Sequence, residues 1–215
     1  TDVLVPSLHA PTETLTEAEA KTVLAGHGLT VPRSRRISEV TSAALAGLTY
    51  PLVLKAEGIA HKTDAGAVVL DLTDFAAVEA AARRMPSSVW LVEEMITPIV
   101  AELLIGVVSD PSHGFVMTLG AGGILTELSD DKVSMSLPIS LETAKQSLLS
   151  LRCAPLLTGY RGQPAADMMA LLDAVMSIQS YVITHANAAA EVEVNPLVCT
   201  PTAAIAVDAL IRRMR

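Results

Sequence analysis

The longest periodic pattern lies between Asp167 and His185, where Met168, Leu171, Leu172, Val175, Ile178 and Val182 recur at helical spacing. That spacing lays one apolar stripe along an α-helix, and the stripe must pack against something. Near the start, Thr16-Glu17-Ala18-Glu19 predicts a second helix. Thr16 serves as N-cap, Glu19 closes the capping box, Ala20, Val23 and Leu24 face inward, and Gly28 is placed to end it. Further helices are predicted from Ser38 or Glu39 to about Ala46, from the cap Asp74 to about Met85, and from the cap Ser140 to about Leu151.

Strand signals alternate with these. Pro51 to Ala56 runs Leu52, Val53, Leu54 into Lys55, Ala67 to Leu72 follows a charged loop, and Val89 to Val92 ends on Glu93-Glu94. Ala101 to Val108 and Phe115 to Leu119 flank the turn Asp110-Pro111-Ser112-His113-Gly114, which predicts an antiparallel pair. Val133 to Leu137, Glu191 to Val198 and Ala203 to Leu210 complete the set. The chain divides accordingly: 1–14 is a linker or arm with two prolines and no periodicity, 15–92 a first α/β lobe, and 93–215 a second.

Composition narrows the function classes. Hydrophobic residues make up 51% but aromatics only 3%, so the core is built from Ala, Val, Leu, Ile and Met. Mean hydropathy is positive, yet no stretch of about 18 uncharged apolar residues exists to span a membrane. The most apolar region, Val89 to Val108, is interrupted by Glu93, Glu94 and Glu102. A net charge of −8 argues against a nucleic-acid partner, which wants a basic face. Cys153 and Cys199 form neither a disulfide framework nor a metal cluster and read as buried thiols in a reducing cytoplasm. No cationic start leads into an apolar run, and the chain opens on Thr1 rather than Met, as expected of a piece of a longer protein.

The closing hairpin carries the sharpest chemical signal. On a strand Glu191, Glu193 and Asn195 share one face, while Val192, Val194 and Pro196 take the other. A turn centred on Pro201-Thr202 sets Asn195 opposite Asp208. Two oxygen ligands on adjacent strands, with Glu193 one step away, suit Mg²⁺, which takes few protein oxygens and completes its shell with phosphate and water. An exposed hairpin with a merely wet polar face fits the same pattern. Pro201 favours a longer loop than two residues, and only a symmetric lengthening keeps the register.

Other positions are individually weaker. Lys55 at the end of an apolar strand wants an anion, either a phosphate or a carboxylate, unless it is simply a surface lysine. His61-Lys62-Thr63-Asp64-Ala65-Gly66 is a loop able to fold over phosphates. Gly120-Ala121-Gly122-Gly123 lacks the Walker pattern and is a tight turn whose N–H groups could meet phosphate; taken alone, a plain loop is the simpler account.

In order along the chain, Pro51-Leu52-Val53-Leu54-Lys55, His61-Lys62-Thr63-Asp64-Ala65-Gly66-Ala67-Val68, Leu119-Gly120-Ala121-Gly122-Gly123-Ile124, Gly159-Tyr160-Arg161-Gly162 and Glu193-Val194-Asn195-Pro196-Leu197 together resemble one family. It is the ATP-grasp domain of ADP-forming (NDP-forming) acyl-CoA synthetases, relatives of succinyl-CoA synthetase β chains, and the resemblance covers about residues 15–212. It implies an ATP-grasp fold of two α/β lobes, ATP or ADP with Mg²⁺ as cofactors, and CoA-binding and CoA-ligase domains as partners in cis or in trans; oligomerisation is left open. By the same resemblance Lys55 contacts phosphates, with Lys62 in the neighbouring loop, and Glu93, Glu94 and Ile96 lie at the hinge that binds adenine. Glu102 holds ribose, and Gly122, Gly123, Glu127 and Arg161 lie near the phosphates. Asn195 and Asp208, with Glu193, are the implied metal ligands, and His61 is implied to relay a phosphoryl group between a partner's phosphohistidine and ADP. The chain departs from the family at Gly66-Ala67, where Gly-Gly is usual, and at Thr97-Pro98-Ile99-Val100, which replaces a glycine-rich stretch. Those departures leave room for a non-catalytic, regulatory ATP-grasp-like module. A carboxylate–amine ligase is disfavoured, because such an enzyme has no need of the histidine loop.

Overall fold

The structure is a computed structural model and describes residues 11–57, 67–123 and 130–215. In chain order the described elements begin β1 (Thr12–Thr14), α1 (Glu17–Ala25), β2 (Ser34–Ile37), α2 (Ser42–Leu45), β3 (Leu52–Ala56), β4 (Val68–Leu72), α3 (Phe75–Arg84) and β5 (Trp90–Glu94). They continue with β6 (Ala101–Asp110), β7 (Gly114–Ala121), β8 (Lys132–Ser136), α4 (Leu141–Ser150), α5 (Ala154–Thr158), α6 (Met168–Thr184), β9 (Ala189–Cys199), β10 (Ala204–Ala206) and β11 (Ala209–Met214). Contacts gather these into two units: Pro32–Thr97, and the residues up to Val31 together with Pro98–Arg215.

The larger unit is a mixed α/β layer. Its sheet runs β1-β11-β9-β6-β7-β8, with β10 beside β9, and every pairing is antiparallel. Strand alternation decides what each face does. In β6, Ala101, Leu103, Ile105 and Val107 are buried, whereas Glu102, Leu104 and Gly106 are half-buried and Val108 is exposed. The buried face joins the stripe of α6, where Leu171, Leu172, Val175, Ile178 and Val182 are sealed from water. Each such side chain contributes about 1.5–3 kcal/mol. Asp167 caps α6 by accepting from the N–H groups of Met169 and Ala170, both at 3.0 Å, and His185 ends it, as the pattern predicts.

Two expectations change in this unit. The helix read as the start of the first lobe, α1, belongs here: Ala20 and Leu24 lie in the core of this sheet, and α1 packs on β11 and α6. The lobe boundaries read at 15–92 and 93–215 therefore shift, because the apolar side of α1 finds its partners late in the chain. Within the presumed arm, Thr12–Thr14 is an edge strand on β11, and Glu13 pairs with Arg213 at 2.6 Å.

The smaller unit holds the four-stranded antiparallel sheet β2-β5-β3-β4 with α3 against β3 and β4. Leu52, Leu54, Ala56, Val78, Ala81 and Val92 form its core. Strand β2 escapes sequence reading because only Ile37 of Ser34-Arg35-Arg36-Ile37 is buried. Helix α2 is shorter than expected, since Thr41 accepts from Ala44 N–H at 3.1 Å and caps it there. Among the described residues, no helix is long and apolar enough to cross a membrane.

Candidate functional site

Strand β9 puts its chemistry on the half-buried face. Val192 and Val194 point into the core, and Glu191, Glu193 and Asn195 alternate with them. The expected single strand over 203–210 breaks in two, yet the register survives the break. Ala206 pairs with Leu197 before it, and Ala209 with Val194 after it. Val207 N–H donates to the Pro196 carbonyl at 3.3 Å, so Asp208 occupies the register position across from Asn195. Glu191 is engaged by Arg212 at 3.0 Å, while Glu193 stands opposite Leu210 on one side and Gly106 on the other.

The glycine turn after β7 closes on the same place. A Cβ at Gly120 would meet the Asp131 carbonyl at 2.9 Å, and one at Gly122 would meet the Leu103 backbone at 2.5 Å. At Gly123, whose φ is +61°, a Cβ would collide with Oε2 of Glu102. Gly122 and Gly123 thus let the turn lie directly on β6, while Gly120 lets β7 come close to the Asp131 carbonyl. Gly122 N–H donates to the Glu102 carbonyl at 2.8 Å, and Gly123 N–H donates to Oδ1 of Asn195 at 3.3 Å. Both N–H groups are engaged within the protein, so the turn acts as a brace for Glu102 and Asn195 rather than as a plain loop.

The register brings together the backbone positions of three oxygen-bearing residues: Asn195, Asp208 and, one step along, Glu193. Gly123 occupies one lone pair of Oδ1 and fixes which way the amide points, and an amide oxygen carries two. Among the described residues no three His, Cys, Asp or Glu gather closely enough to hold a metal on their own. Amide and carboxylate oxygens are the donor type that a hard cation such as Mg²⁺ takes, with phosphate and water completing its shell.

In the smaller unit, Lys55 is buried rather than at the surface. Its Nζ lies 2.8 Å from Oε2 of Glu93, with the side chains 9% and 2% exposed. The anion demanded by the sequence pattern is thus a carboxylate within the sheet, reached diagonally because Val53 lies opposite Glu93 and Lys55 opposite Leu91. Glu94 accepts from Thr49 N–H at 2.9 Å and sits 3.4 Å from Arg33. Its own N–H donates to the Arg33 carbonyl, and Met95 N–H donates to the Pro51 carbonyl. Ile96 follows, half-buried, just beyond the strand.

The remaining expected residues are spread out or undescribed. Arg161 is exposed, has φ +49°, and lies over the Tyr160 ring at 5.3 Å. His61, Lys62 and Glu127 lie outside the described residues. The two thiols behave as core groups: burial pushes Cys199 up to about 12, and burial and Asp131 push Cys153 up to about 11. Among the described residues, sequence reading missed two buried charged centres. Asp131, 7% exposed, accepts from the N–H groups of Arg152 at 2.7 Å and Cys153 at 2.8 Å. Burial works to raise its carboxyl, but those backbone donors outweigh it and hold it below the ordinary value. Lys21 and Glu17 form the other centre, a buried pair whose only sequence signal is their spacing of four on α1.

Known proteins are similar to this chain over most of its length. The family model described as an ATP-grasp domain matches residues 7–212. A trans-feruloyl-CoA synthase from an unknown prokaryotic organism is 32% identical over 97% of this chain, which spans 32% of that protein's length. The β subunit of acetate–CoA ligase [ADP-forming] I from Pyrococcus furiosus is 27% identical over 96% of this chain and 94% of its own. A solved structure of dinucleotide-forming acetyl-coenzyme A synthetase 1 from Ca. Korarchaeum cryptofilum, with coenzyme A and Ca-AMPCP, superposes with a TM-score of 0.85 at 28% identity, covering 94% of each chain. Another from that organism, with coenzyme A and Mg-AMPPCP, gives 0.83 at 30% identity, covering 94% of this chain and 93% of its own. The chain belongs to the ATP-grasp domain family and is homologous to the ATP-grasp component of ADP-forming acyl-CoA ligases.

Proposed function

We propose that this chain is the nucleotide half of an ADP-forming acyl-CoA synthetase acting in the cytoplasm. The overall reaction is acyl-CoA + ADP + phosphate ⇌ acid + CoA + ATP, with CoA-binding and CoA-ligase domains handling the acid and the thioester. The observation that carries this is the register that sets Asp208 across from Asn195 while Gly123 N–H fixes the Asn195 amide.

Asn195 and Asp208, with Glu193 beside them, are the residues that would hold Mg²⁺ with bound ATP or ADP. When bound, Mg²⁺ neutralises phosphate charge, which is most of what phosphoryl transfer asks of a protein. Lys55 presents an ammonium to the phosphates, anchored by Glu93. Lys62, Glu127 and Arg161 add charge and hydrogen bonds near the phosphates. Glu94 and Ile96 line the adenine end through backbone groups, and Glu102, braced by the glycine turn, meets the ribose hydroxyls. His61 relays the phosphoryl group: the P–N bond to a partner domain's phosphohistidine breaks as one to His61 forms, and His61 then gives the group to the terminal phosphate oxygen of ADP.

The regulatory alternative drew its support from Ala67. That methyl is fully buried in the core of the smaller unit, and the Ala67 carbonyl accepts from Ala56 N–H at 2.8 Å. A methyl packed in the core supplies no reason for lost phosphate binding.

Calorimetric titration of Mg·ADP into the parent and Asn195→Ala, with the partner domains supplied, tests the proposal. Binding is expected in the parent, and a loss of about 1.5–3 kcal/mol in the variant, as for a hydrogen bond to a charged group. A folded parent that binds no nucleotide overturns it.

A further inference from the structure

Helix α1 carries an ion pair that the nucleotide chemistry does not use. Lys21 Nζ lies 2.7 Å from Oε1 of Glu17, one helical turn away, with the side chains 3% and 2% exposed. Taking two charges out of water is costly, and a well-packed apolar pair of similar volume often serves stability as well or better. The flanking Ala20 and Leu24 show that this face of α1 is otherwise apolar. The pair therefore needs a task that an apolar pair cannot do.

That task is visible at the far end of the lysine. Nζ also donates to the carbonyl of Val207 at 3.2 Å. Val207 stands where β10 has ended and β11 has not begun, so regular strand pairing does not fix it. The break is instead tied down piece by piece. Ala206 N–H donates to the Thr30 carbonyl at 2.9 Å, Val207 N–H to the Pro196 carbonyl at 3.3 Å, and Lys21 takes the Val207 carbonyl. The next residue is Asp208, across from Asn195. An unpaired ammonium so near a cation site would repel the cation; Glu17 neutralises it, leaving a donor with little net charge.

We propose that Lys21, held by Glu17, is a positioning residue for Asp208: by fixing the Val207 carbonyl it sets the strand break that presents Asp208 to a nucleotide-bound divalent cation. Lys21 acts here through the Val207 backbone. Because this rests on the nucleotide reading above, the test must separate the two.

The test measures Mn²⁺ affinity in the presence of ADP by electron paramagnetic resonance, with metal-free ADP binding measured alongside. It compares the full parent chain, Glu17→Gln/Lys21→Met, Asp208→Ala and the triple variant. The Glu17/Lys21 variant is expected to keep its far-UV circular dichroism and its metal-free ADP affinity, while Mn²⁺ affinity falls about 10- to 100-fold, as for loss of an outer-shell partner. Adding the same two changes to Asp208→Ala is expected to cost nothing further, because the lysine acts through the aspartate. Unchanged Mn²⁺ affinity, or an equal loss with and without Asp208, overturns the inference and leaves nucleotide binding standing. A folded parent that binds neither ADP nor Mn²⁺ overturns both. If the paired change does not fold, Glu17→Gln alone releases the anchor while keeping the ammonium. A smaller loss of Mn²⁺ affinity is then expected, and no loss overturns the inference.

Discussion

A methyl group at Gly123 would meet two objections at once. The residue sits at φ +61°, and its missing Cβ is the space that Oε2 of Glu102 fills. Gly162 makes a good control: its φ is +82°, but nothing lies within 4 Å of where its Cβ would stand. Gly162→Ala is expected to cost only the backbone penalty of about 1–2 kcal/mol. Gly123→Ala carries that penalty and must also push Glu102 aside or lift the turn, which loosens the N–H bond to Asn195. Urea melts are expected to show the larger destabilisation at Gly123, and calorimetry a weaker Mg·ADP affinity only there. Equal effects at the two glycines would mean that the turn does not brace the site. The same logic explains why the turn is illegible as a brace in sequence. Glycine spacing signals a tight turn, but its targets, Leu103 and Glu102 on β6 and Asn195 on β9, come from distant parts of the chain.

At the scale of elements, Asp131 joins the start of β8 to the segment between α4 and α5. Its carboxylate receives the N–H groups of Arg152 and Cys153, which no helical carbonyl satisfies. Asp131→Asn keeps one good acceptor and loses the charge, so a cost of about 1.5–3 kcal/mol at neutral pH is expected. The sign with pH follows from the lowered carboxyl. Stabilisation is fully present above the unfolded value of about 3.9 and disappears as pH falls through the lower folded value. Urea melts of parent and variant at pH 7 and near pH 3 are expected to show a gap that narrows in acid; a gap independent of pH contradicts this role. Elements with strong patterns, such as α6, β6 and the β9 hairpin, were readable from sequence because one face is buried and period alone identifies it. Strand β2, edge strand β1 and the break at Val207–Asp208 were not, because pairing and local hydrogen bonds define them while few of their side chains are buried. The Asn195–Asp208 relation was readable because the loop lengthened symmetrically about Pro201-Thr202, with Ala204 opposite Cys199.

At the scale of the whole molecule, the chain corresponds to the ATP-grasp component of ADP-forming acyl-CoA ligases. It spans 32% of the feruloyl-CoA synthase it resembles but 94% of the Pyrococcus β subunit, so the same piece serves as part of one polypeptide or as a separate subunit. Under the proposed function this separates two kinds of residue. Those that hold Mg·ADP act in the isolated chain, whereas a relay histidine matters only when a phosphoryl group arrives from elsewhere. An imidazole is a competent nucleophile near neutral pH. His61→Ala is therefore expected to bind Mg·ADP within about twofold of the parent, as removing a group that acts only in transfer leaves ground-state binding intact. With the CoA-binding and CoA-ligase domains supplied, acyl-CoA-dependent ATP formation is expected to fall about a thousandfold or more, as when a covalent nucleophile is removed. Calorimetry on the chain and a coupled ATP assay on the assembled enzyme read the two quantities separately. Turnover that survives the substitution would take the relay from His61, and a parallel loss of Mg·ADP binding would make His61 a nucleotide ligand instead.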